Sequence, residues 1–362
     1  MKATCTIATR LAAAVIAAAI AAAPALAQRA PPPDVQFFRI GTGPTTGVYF
    51  PVGAMIASVV SNPPGSRPCD RGGSCGVPNL IAVAQATQDS IARLKDIADA
   101  RIESGLVQSD VAYLAYRGEG PFAKQPLRNL RAIARLYPEY LHVVVRTDAK
   151  VRSFADLKGK RVGLDVDGSG TRIMTQAVLP QLGIRSADVS GRSVPVSQAA
   201  DQLRAQRLDA FAFASGIPAE PILRLLEDVP VALLPVRSEV AAKVAKGRPG
   251  LGPGVIPAGA YRGIAETPTV VTDALWVVSA DADPNLVYAL ARALWNPNNR
   301  RLLDAGHPAG RSMRLENAMT GLTIPLHAGA EQFYRDAGLD IPTTALAPQK
   351  LAPAAPPKPT NR

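Results

Sequence analysis

The stretch GKRVGLDVDGSGTRIMTQAVLPQLGI, residues 159–184, places a glycine-rich turn between two runs of different periodicity. A short apolar run precedes the turn, and apolar residues at helical spacing follow it, so the pattern predicts a strand, a tight turn and a helix. The first amide N–H groups of such a helix have no partner within the helix, and a side chain or an anion usually satisfies them. The segment therefore predicts an α/β unit whose turn could hold an anion.

The same alternation of strand and helix patterns extends in both directions along the chain. It runs to about residue 145 and begins again at residue 146, which predicts two α/β lobes, each with a mostly parallel sheet covered by helices. The first block contains its own strand-to-helix turn, GTGPTTG at residues 41–47. Ligands of open α/β sheets bind beyond the carboxyl ends of the strands. We therefore expect a ligand in a cleft between the two lobes.

The two ends of the sequence differ from this pattern. Residues 1–27 combine Lys2 and Arg10, an apolar run at 11–23 and the small-residue motif Ala-Leu-Ala, which is typical of a cleaved secretory signal peptide. A retained membrane anchor is the alternative, but the apolar run is short for a membrane span. Residues 342–362 are rich in Ala and Pro, and we expect them to be disordered.

Charge and cysteine content restrict the classes of partner. The formal net charge is +11, but the basic residues are scattered and their densest group, KGKR at 158–161, has no interleaved aromatic residue, so a nucleic-acid partner is not expected. Cys69 and Cys75 lie in RPCDRGGSCGVPN, and export favours a disulfide between them. The alternative, zinc, needs four ligands, and no histidine is near in sequence. We predict no metal and no cofactor.

The sequence shows no assembled catalytic set. The glycines of GTGPTTG do not have the dinucleotide spacing G-x-G-x-x-G, and GSGT lacks the lysine of a P-loop and the frame of a nucleophile elbow. After the predicted cleavage, the histidines are His142, His307 and His327, which we expect to be structural or capping residues. We therefore predict no catalytic residues and no enzymatic activity.

A succession of motifs resembles the TAXI family, the solute-binding proteins of TRAP (tripartite ATP-independent periplasmic) transporters. The motifs are GTGPTTGVYFPVG, VQSDVAYLAYRG, LYPEYLHVVVR, FADLKGKRVGLDVDGSGT, LDAFAF and PLHAGAEQFYRDAG, in order over residues 35–340. The resemblance implies a periplasmic protein with a two-lobed type II periplasmic-binding-protein fold. We expect lobe 1 to comprise residues 28–145 and 267–341, lobe 2 to comprise 146–266, and the hinge to lie near 146–150 and 265–269.

The resemblance also implies a set of ligand-binding residues. Three stretches match family turns: GTGPTTG at 41–47, ATQDS at 86–90 and DVDGSGT at 165–171. The expected ligand-binding residues are Thr45, Thr46, Tyr49, Ser90, Gly168, Ser169, Gly170 and Thr171. Two positions depart from the family pattern: Asp89 stands where glycine is usual, and Arg93 where asparagine is usual. The extra carboxylate of Asp89 would repel an acidic ligand unless Arg93, one helical turn on, neutralises it.

The expected function is capture of a small organic acid or amino acid, glutamate-like or dicarboxylate, and its delivery to integral-membrane TRAP permease subunits. The protein is expected to act as a monomer. A second interpretation is a ligand-binding module that serves a sensor kinase or another signalling receptor, and the chain contains nothing that separates the two. We also expect Thr171→Val to weaken binding without changing the stability of the ligand-free protein.

Overall fold

A computed structural model describes residues 34–341, so the predicted signal peptide and the predicted disordered tail lie outside the described residues. Strands and helices alternate along this range. The strands are β1 Gln36–Thr42, β2 Ser61–Asn62, β3 Val77–Pro78, β4 Leu80–Ala86, β5 Ser104–Gln108, β6 Leu130–Arg146, β7 Arg161–Gly163, β8 Ser190–Arg192, β9 Ala210–Ser215, β10 Val231–Leu233, β11 Gly252–Ile256 and β12 Thr267–Ser279.

The helices follow most of the strands in turn. They are α1 Tyr49–Val60, α2 Ser90–Ala98, α3 Ser109–Arg117, α4 Gly170–Val178, α5 Val196–Arg204, α6 Glu220–Leu225, α7 Ser238–Gly247, α8 Pro284–Leu294, α9 Arg300–Gly306 and α10 Ala328–Asp336. All these elements lie in one unit of the chain that begins at Val35.

One mixed sheet organises the described residues, with the strand order β4-β1-β5-β12-β6-β9-β7-β8. β4, β1 and β5 are parallel and form what we call the first strand set. β8, β7 and β9 are parallel and form the second strand set. β12 and β6 lie between the sets and pair antiparallel with their neighbours. The predicted α/β fold class is confirmed, but one continuous mixed sheet replaces the separate, mostly parallel sheets predicted for the two lobes, because β12 and β6 join the strand sets.

The carboxyl ends of the two strand sets face each other across the middle of β6. Gln108, the last residue of β5, pairs with Ala274 of β12, which pairs with Tyr137 of β6. Ser215, the last residue of β9, pairs with Tyr140 of β6. Tyr137 and Tyr140 are only about 10 Å apart along a strand. The turns that leave both sets therefore converge over one short segment, where α/β sheets bind ligands.

Each strand set is buried on both faces by helices. One face of the first set packs against α1, α8 and α10 around Phe38 and Trp276, and the other packs against α2 and α3 around Leu94. The faces of the second set pack against α4 and α7 around Met174, and against α5 and α6 around Phe211. The inner strands β5 and β9 are buried along their whole length, whereas the edge strand β8 is exposed. Burial on both faces explains why the sequence of β9 is a continuous apolar run rather than an alternating one.

β6 differs from its prediction. The sequence divides it into two strands, LRAIARLY and YLHVVVR, at Pro138 and Glu139, whereas the structure has one strand of 17 residues. Pro138 has no N–H to donate to a ladder, but it lies opposite Asp273, where the β6–β12 pairing shifts register at two nearby points. This irregular pairing accommodates the proline, and the strand continues through it.

Two further segments differ from their sequence patterns, and the cysteine prediction is confirmed. The Gly- and Pro-rich region 238–268 has no clear helical or strand period but contains α7 and β11. The helix expected over SFADLKGK is a single 3₁₀ turn, Phe154–Leu157. Cys69 and Cys75 are joined by a disulfide, as predicted.

Candidate ligand-binding site

A cavity of about 350 Å³ lies over the middle of β6, where the two strand sets face each other. On one side it is lined by the turns that follow β1 and β4 and by the end of β5. On the other side it is lined by the turn that follows β7, the residues that precede α5 and the end of β9. Its volume falls within the range of roughly 300–1,000 Å³ that is usual for small-molecule sites.

The turn after β1 places Tyr49, but not the two threonines, at the cavity. Pro44 accepts a hydrogen bond from the amide N–H of Gly47 at 2.9 Å, so Thr45 and Thr46 occupy the outer corner of a tight turn and are exposed. Neither threonine is among the lining residues. Tyr49 begins α1 and lines the cavity, and its hydroxyl donates to Glu139 Oε2 at 2.7 Å.

Arg93 contributes a buried cation to the cavity wall. Its side chain is only 1% exposed. Nη1 donates to the carbonyl of Thr42 at 2.8 Å and to Thr87 Oγ1 at 2.9 Å, and Nη2 donates to Ser90 Oγ at 3.2 Å. The guanidinium carbon lies 5.4 Å from the ring centroid of Tyr49, within cation–π distance.

Two of the N–H groups of Arg93 remain uncommitted. A guanidinium has five N–H donors, and Nε is buried without a partner among the described residues. With three donors used, the Nε–H and one Nη2 N–H are left. Burial lowers the pKa of Arg93 from its ordinary value, but an arginine side chain stays charged at neutral pH. The cavity wall therefore carries a fixed positive charge; one Nη2 N–H remains for a ligand, and the unpaired Nε–H is itself buried.

Asp89, which stands where the resembled family usually has glycine, caps the start of α2. The Oδ1 atom of Asp89 accepts the amide N–H of Ala92 at 2.8 Å. Arg93 makes its hydrogen bonds with other residues, so the carboxylate of Asp89 is satisfied mainly by the helix terminus. Ser90, an expected site residue, is buried and lines the cavity beside Arg93.

The glycine-rich turn DVDGSGT, residues 165–171, lies on the opposite side of the cavity. Ser169 caps α4, because its Oγ accepts the amide N–H of Arg172 at 3.1 Å. Thr171 Oγ1 accepts the amide N–H of Ala214 at 3.1 Å. The amide N–H groups of Gly170 and Thr171 have no partner among the described residues. The helix start is thus partly capped by its own serine and keeps two free donors at the cavity wall.

The two sides of the cavity touch each other at glycines. Gly168 has φ +82°, and a Cβ added there would lie 2.9 Å from Asp89 Oδ1 across the cavity. A Cβ added at Gly170 would overlap the side-chain amide of Gln108. Only glycine permits both the backbone conformation at 168 and the close approach at 170. The structure therefore brings Tyr49, Ser90, Ser169, Gly170 and Thr171 to the cavity, whereas Thr45, Thr46 and Gly168 are not among its lining residues.

Burial raises the pKa of two of the three acidic groups that line the cavity, Glu139 and Asp165, and Asp89 is the third. The pKa of Glu139 rises to about 8, which favours its neutral form at pH 7. Removal of a carboxyl from water disfavours its charged form. The positive charge of Arg93 is consequently offset less than a simple count of acidic residues would indicate.

Sequence reasoning missed the polar residues that belong to strands rather than to turns. Gln108 and Ser215 end β5 and β9, and Glu139 lies inside β6. Gln108 Oε1 and Ser215 Oγ are buried and have no hydrogen-bond partner among the described residues. In the sequence, a polar residue inside an apolar run, as in LVQSD and LYPEY, is the pattern that indicates such positions.

The three histidines have structural roles, as expected. His142 Nδ1 contacts the carbonyl of Phe213 at 3.2 Å and its Nε2 contacts the hydroxyl of Tyr261 at 2.9 Å, and burial lowers the pKa of His142 to about 4. His307 and His327 accept backbone N–H groups at the starts of helical turns. Within residues 34–341, the side chains form no group suited to hold a metal ion, and the helices are too short or too polar to cross a bilayer.

Three solved structures are similar to this chain at low identity. The alkanesulfonate-binding protein SsuA from Xanthomonas axonopodis pv. citri, bound to MOPS, is 16% identical, with 84% of this chain and 80% of that chain covered and a TM-score of 0.47. PhnD1 from Prochlorococcus marinus, in complex with methylphosphonate, is 12% identical, with coverages of 83% and 98% and a TM-score of 0.47. A TctC solute-binding protein from Polaromonas is 16% identical, with coverages of 76% and 89% and a TM-score of 0.43.

The sequence also matches a protein-family model. The model is that of the NMT1-like family, and it matches residues 40–338. This range contains nearly all of both strand sets and every turn that lines the cavity. The chain therefore belongs to the NMT1-like family.

Proposed function

We propose that this protein is the solute-binding component of a transporter and that it holds a small solute by a carboxylate. The observation that carries the proposal is Arg93, a buried guanidinium at the cavity wall with one uncommitted Nη2 N–H and a buried, unpaired Nε–H. A buried charge is costly unless it is paired. Guanidinium and carboxylate groups pair through parallel N–H···O bonds that are roughly twice as strong as neutral ones.

The rest of the site supports an anionic group. The hydroxyl of Ser90 lies beside Arg93, and the free N–H groups of Gly170 and Thr171 lie at the start of α4 on the opposite wall. A helix start adds a partial positive charge worth about 0.3–1 kcal/mol to a nearby anion. We propose Arg93 and Ser90 as the main carboxylate ligands, with Tyr49, Ser169, Gly170 and Thr171 as further contacts of the solute.

The cavity supports binding rather than chemical conversion. Among the described residues that line it, there is no histidine, cysteine or lysine. The hydroxyls of Ser90, Ser169 and Thr171 already accept hydrogen bonds within the protein. A hydroxyl nucleophile needs an adjacent general base. Of the three carboxyls that line the cavity, Glu139 is bonded to Tyr49, Asp89 accepts the amide N–H of Ala92, and Asp165 accepts the amide N–H of Val166. We therefore propose that the solute is bound and released unchanged.

The finer assignment rests on the sequence motifs. We propose a TRAP permease as the membrane partner, because the ordered motifs over residues 35–340 resemble the TAXI family. The proposal includes export to the periplasm after removal of residues 1–27. It also includes two lobes, residues 28–145 with 267–341 and residues 146–266, that close over the solute by a hinge motion.

A thermal-shift screen tests the proposal. The native protein is heated with amino acids, monocarboxylates and dicarboxylates, and with sugars and nucleotides for comparison. A few related carboxylates should raise the melting temperature, since a ligand at a hundredfold excess over its Kd stabilises by about 2.7 kcal/mol. The increase should disappear in Arg93→Gln. Stabilisation by sugars or nucleotides alone would show the proposal to be wrong.

A further inference from the structure

Arg93 reaches the cavity across a gap that two glycines leave in the surface of the sheet. Gly41 of β1 and Gly105 of β5 are register partners on adjacent strands. A Cβ added at Gly41 would lie 3.1 Å from Arg93 Cδ, and one added at Gly105 would lie 3.0 Å from the same atom. Carbon atoms in favourable contact are about 3.5–4.0 Å apart. Either methyl group would therefore push against the stem of Arg93.

The gap determines where the guanidinium arrives. Arg93 and Ile97 lie one turn apart on α2, and both side chains are buried against this pair of glycines. From there the stem of Arg93 carries the guanidinium to the carbonyl of Thr42, at the carboxyl end of β1. The three hydrogen bonds of the guanidinium span 2.8–3.2 Å. A displacement of a few tenths of an ångström would weaken them, because such bonds lose strength beyond this range.

We infer that Gly41 and Gly105 are positioning residues that together form a seat for Arg93, which we call the glycine seat. The seat sets the guanidinium, with its uncommitted Nη2 N–H, at the carboxyl end of β1, where the solute is received. It acts through Arg93 and does not itself touch the solute. The anion-binding part of this inference rests on the proposed function, whereas the placement of Arg93 by the seat does not.

The effect of the glycine seat on Arg93 must be distinguished from the effect of ordinary packing between α2 and the sheet. An added Cβ at Gly105 would also lie 3.0 Å from Ile97 Cδ1 and 3.0 Å from the backbone oxygen of Gly41, and one at Gly41 would lie 2.6 Å from Ile102 Cδ1. Isoleucine-to-valine replacement deletes that Cδ1 atom. The double variant Gly41→Ala/Ile102→Val therefore keeps the close contact with Arg93 and removes the one with the isoleucine, whereas Gly105→Ala/Ile97→Val also keeps the contact with the backbone of Gly41.

The control variant adds a methyl group at another strand glycine, where its nearest contact is equally short. A Cβ added at Gly191, on β8, would lie 3.0 Å from Leu164 Cδ1 and would meet no atom of Arg93. Gly191→Ala thus tests whether a tight methyl group in a strand is enough to change the site. Backbone amide spectra of every variant establish that it is folded.

The experiment measures the side-chain Nε–H resonance of Arg93 in the full chain labelled with ¹⁵N-arginine. The resonance is identified by its loss in Arg93→Lys. It should shift or broaden in both double variants and stay in place in Gly191→Ala. In the native protein, sodium acetate should move it and sodium chloride at equal ionic strength should not. The apparent affinity for acetate should fall roughly tenfold or more in the double variants.

Two results separate the seat from the proposed function. An unchanged Arg93 resonance in both folded double variants would overturn the seat. If acetate leaves the resonance of the native protein in place while the double variants move it, the seat stands and carboxylate binding by Arg93 is wrong.

Discussion

Replacement of Thr171 by valine should destabilise the ligand-free protein, because the threonine hydroxyl completes the hydrogen bonding of β9. β7 pairs with β9 only as far as Gly163 and Phe211. Beyond that point the amide N–H of Ala214 donates to Thr171 Oγ1 at 3.1 Å. Thr171 is 5% exposed and Ala214 is 7% exposed, so water does not replace this bond freely. The hydroxyl extends the ladder where the neighbouring strand has ended.

The magnitude follows from what each substitution removes. Valine keeps the shape of Thr171 but leaves the buried N–H of Ala214 unpaired, which costs about 1–3 kcal/mol. Thr171→Ser keeps the hydroxyl and loses one buried methyl group, which costs about 0.8 kcal/mol. The sequence-based prediction that Thr171→Val leaves the stability of the ligand-free protein unchanged did not include the hydrogen bond to Ala214. We therefore expect this variant to lose about 1–3 kcal/mol of stability.

Urea denaturation of the ligand-free protein measures both losses, and amide hydrogen exchange locates them. The amide of Ala214 should be protected in the native protein and in Thr171→Ser, and should exchange rapidly in Thr171→Val. If the valine variant is as stable as the native protein and Ala214 stays protected, the hydroxyl has no structural role and the reasoning from this bond fails.

Three other predictions follow from the site and its surroundings. Burial raises the pKa of Glu139 to about 8 from an ordinary 4.5, so between these pH values the folded protein keeps a proton that the unfolded chain releases. The free energy of unfolding should therefore fall as the pH rises through this range. Urea titrations at several pH values should show a smaller fall in Glu139→Gln. A bound solute should lower the radius of gyration in small-angle scattering, and an unchanged radius at saturation would count against closure. Replacing Cys69 and Cys75 by serine should lower the free energy of unfolding by about 2 kcal/mol, as expected for so short a loop, and equal denaturation midpoints would contradict this.

The sequence was sufficient for the fold class because local signals agree with the tertiary structure. The turns after β1, β4 and β7 carry glycine or a capping residue, and strands buried on both faces, such as β9, read as continuous apolar runs. The failure at β6 has the opposite origin. Pro138 is a strong local signal against a central strand, but the irregular pairing with β12 accommodates it. Tertiary pairing therefore decided what the local pattern could not.

The candidate site was only partly accessible to the same reasoning. Ser169, Gly170 and Thr171 follow from the turn itself, since a helix start needs a cap and leaves free N–H groups. Glu139 does not, because it lies inside β6, which reaches the cavity only through the antiparallel insertion of β12 and β6 between the strand sets. Gln108 ends β5 directly before α3, without a glycine-rich turn to mark it. Arg93 was recognised as unusual, but its placement depends on Gly41 and Gly105, on two other strands.

Native mass spectrometry of the protein, purified without refolding, tests the central claim most directly. The solute that co-purifies in the cavity is released by denaturation and identified by its mass. The account predicts a small molecule with a carboxylate, present in the native protein and absent from Arg93→Gln prepared in the same way. A co-purified molecule without an acidic group, or one retained equally by Arg93→Gln, would contradict it.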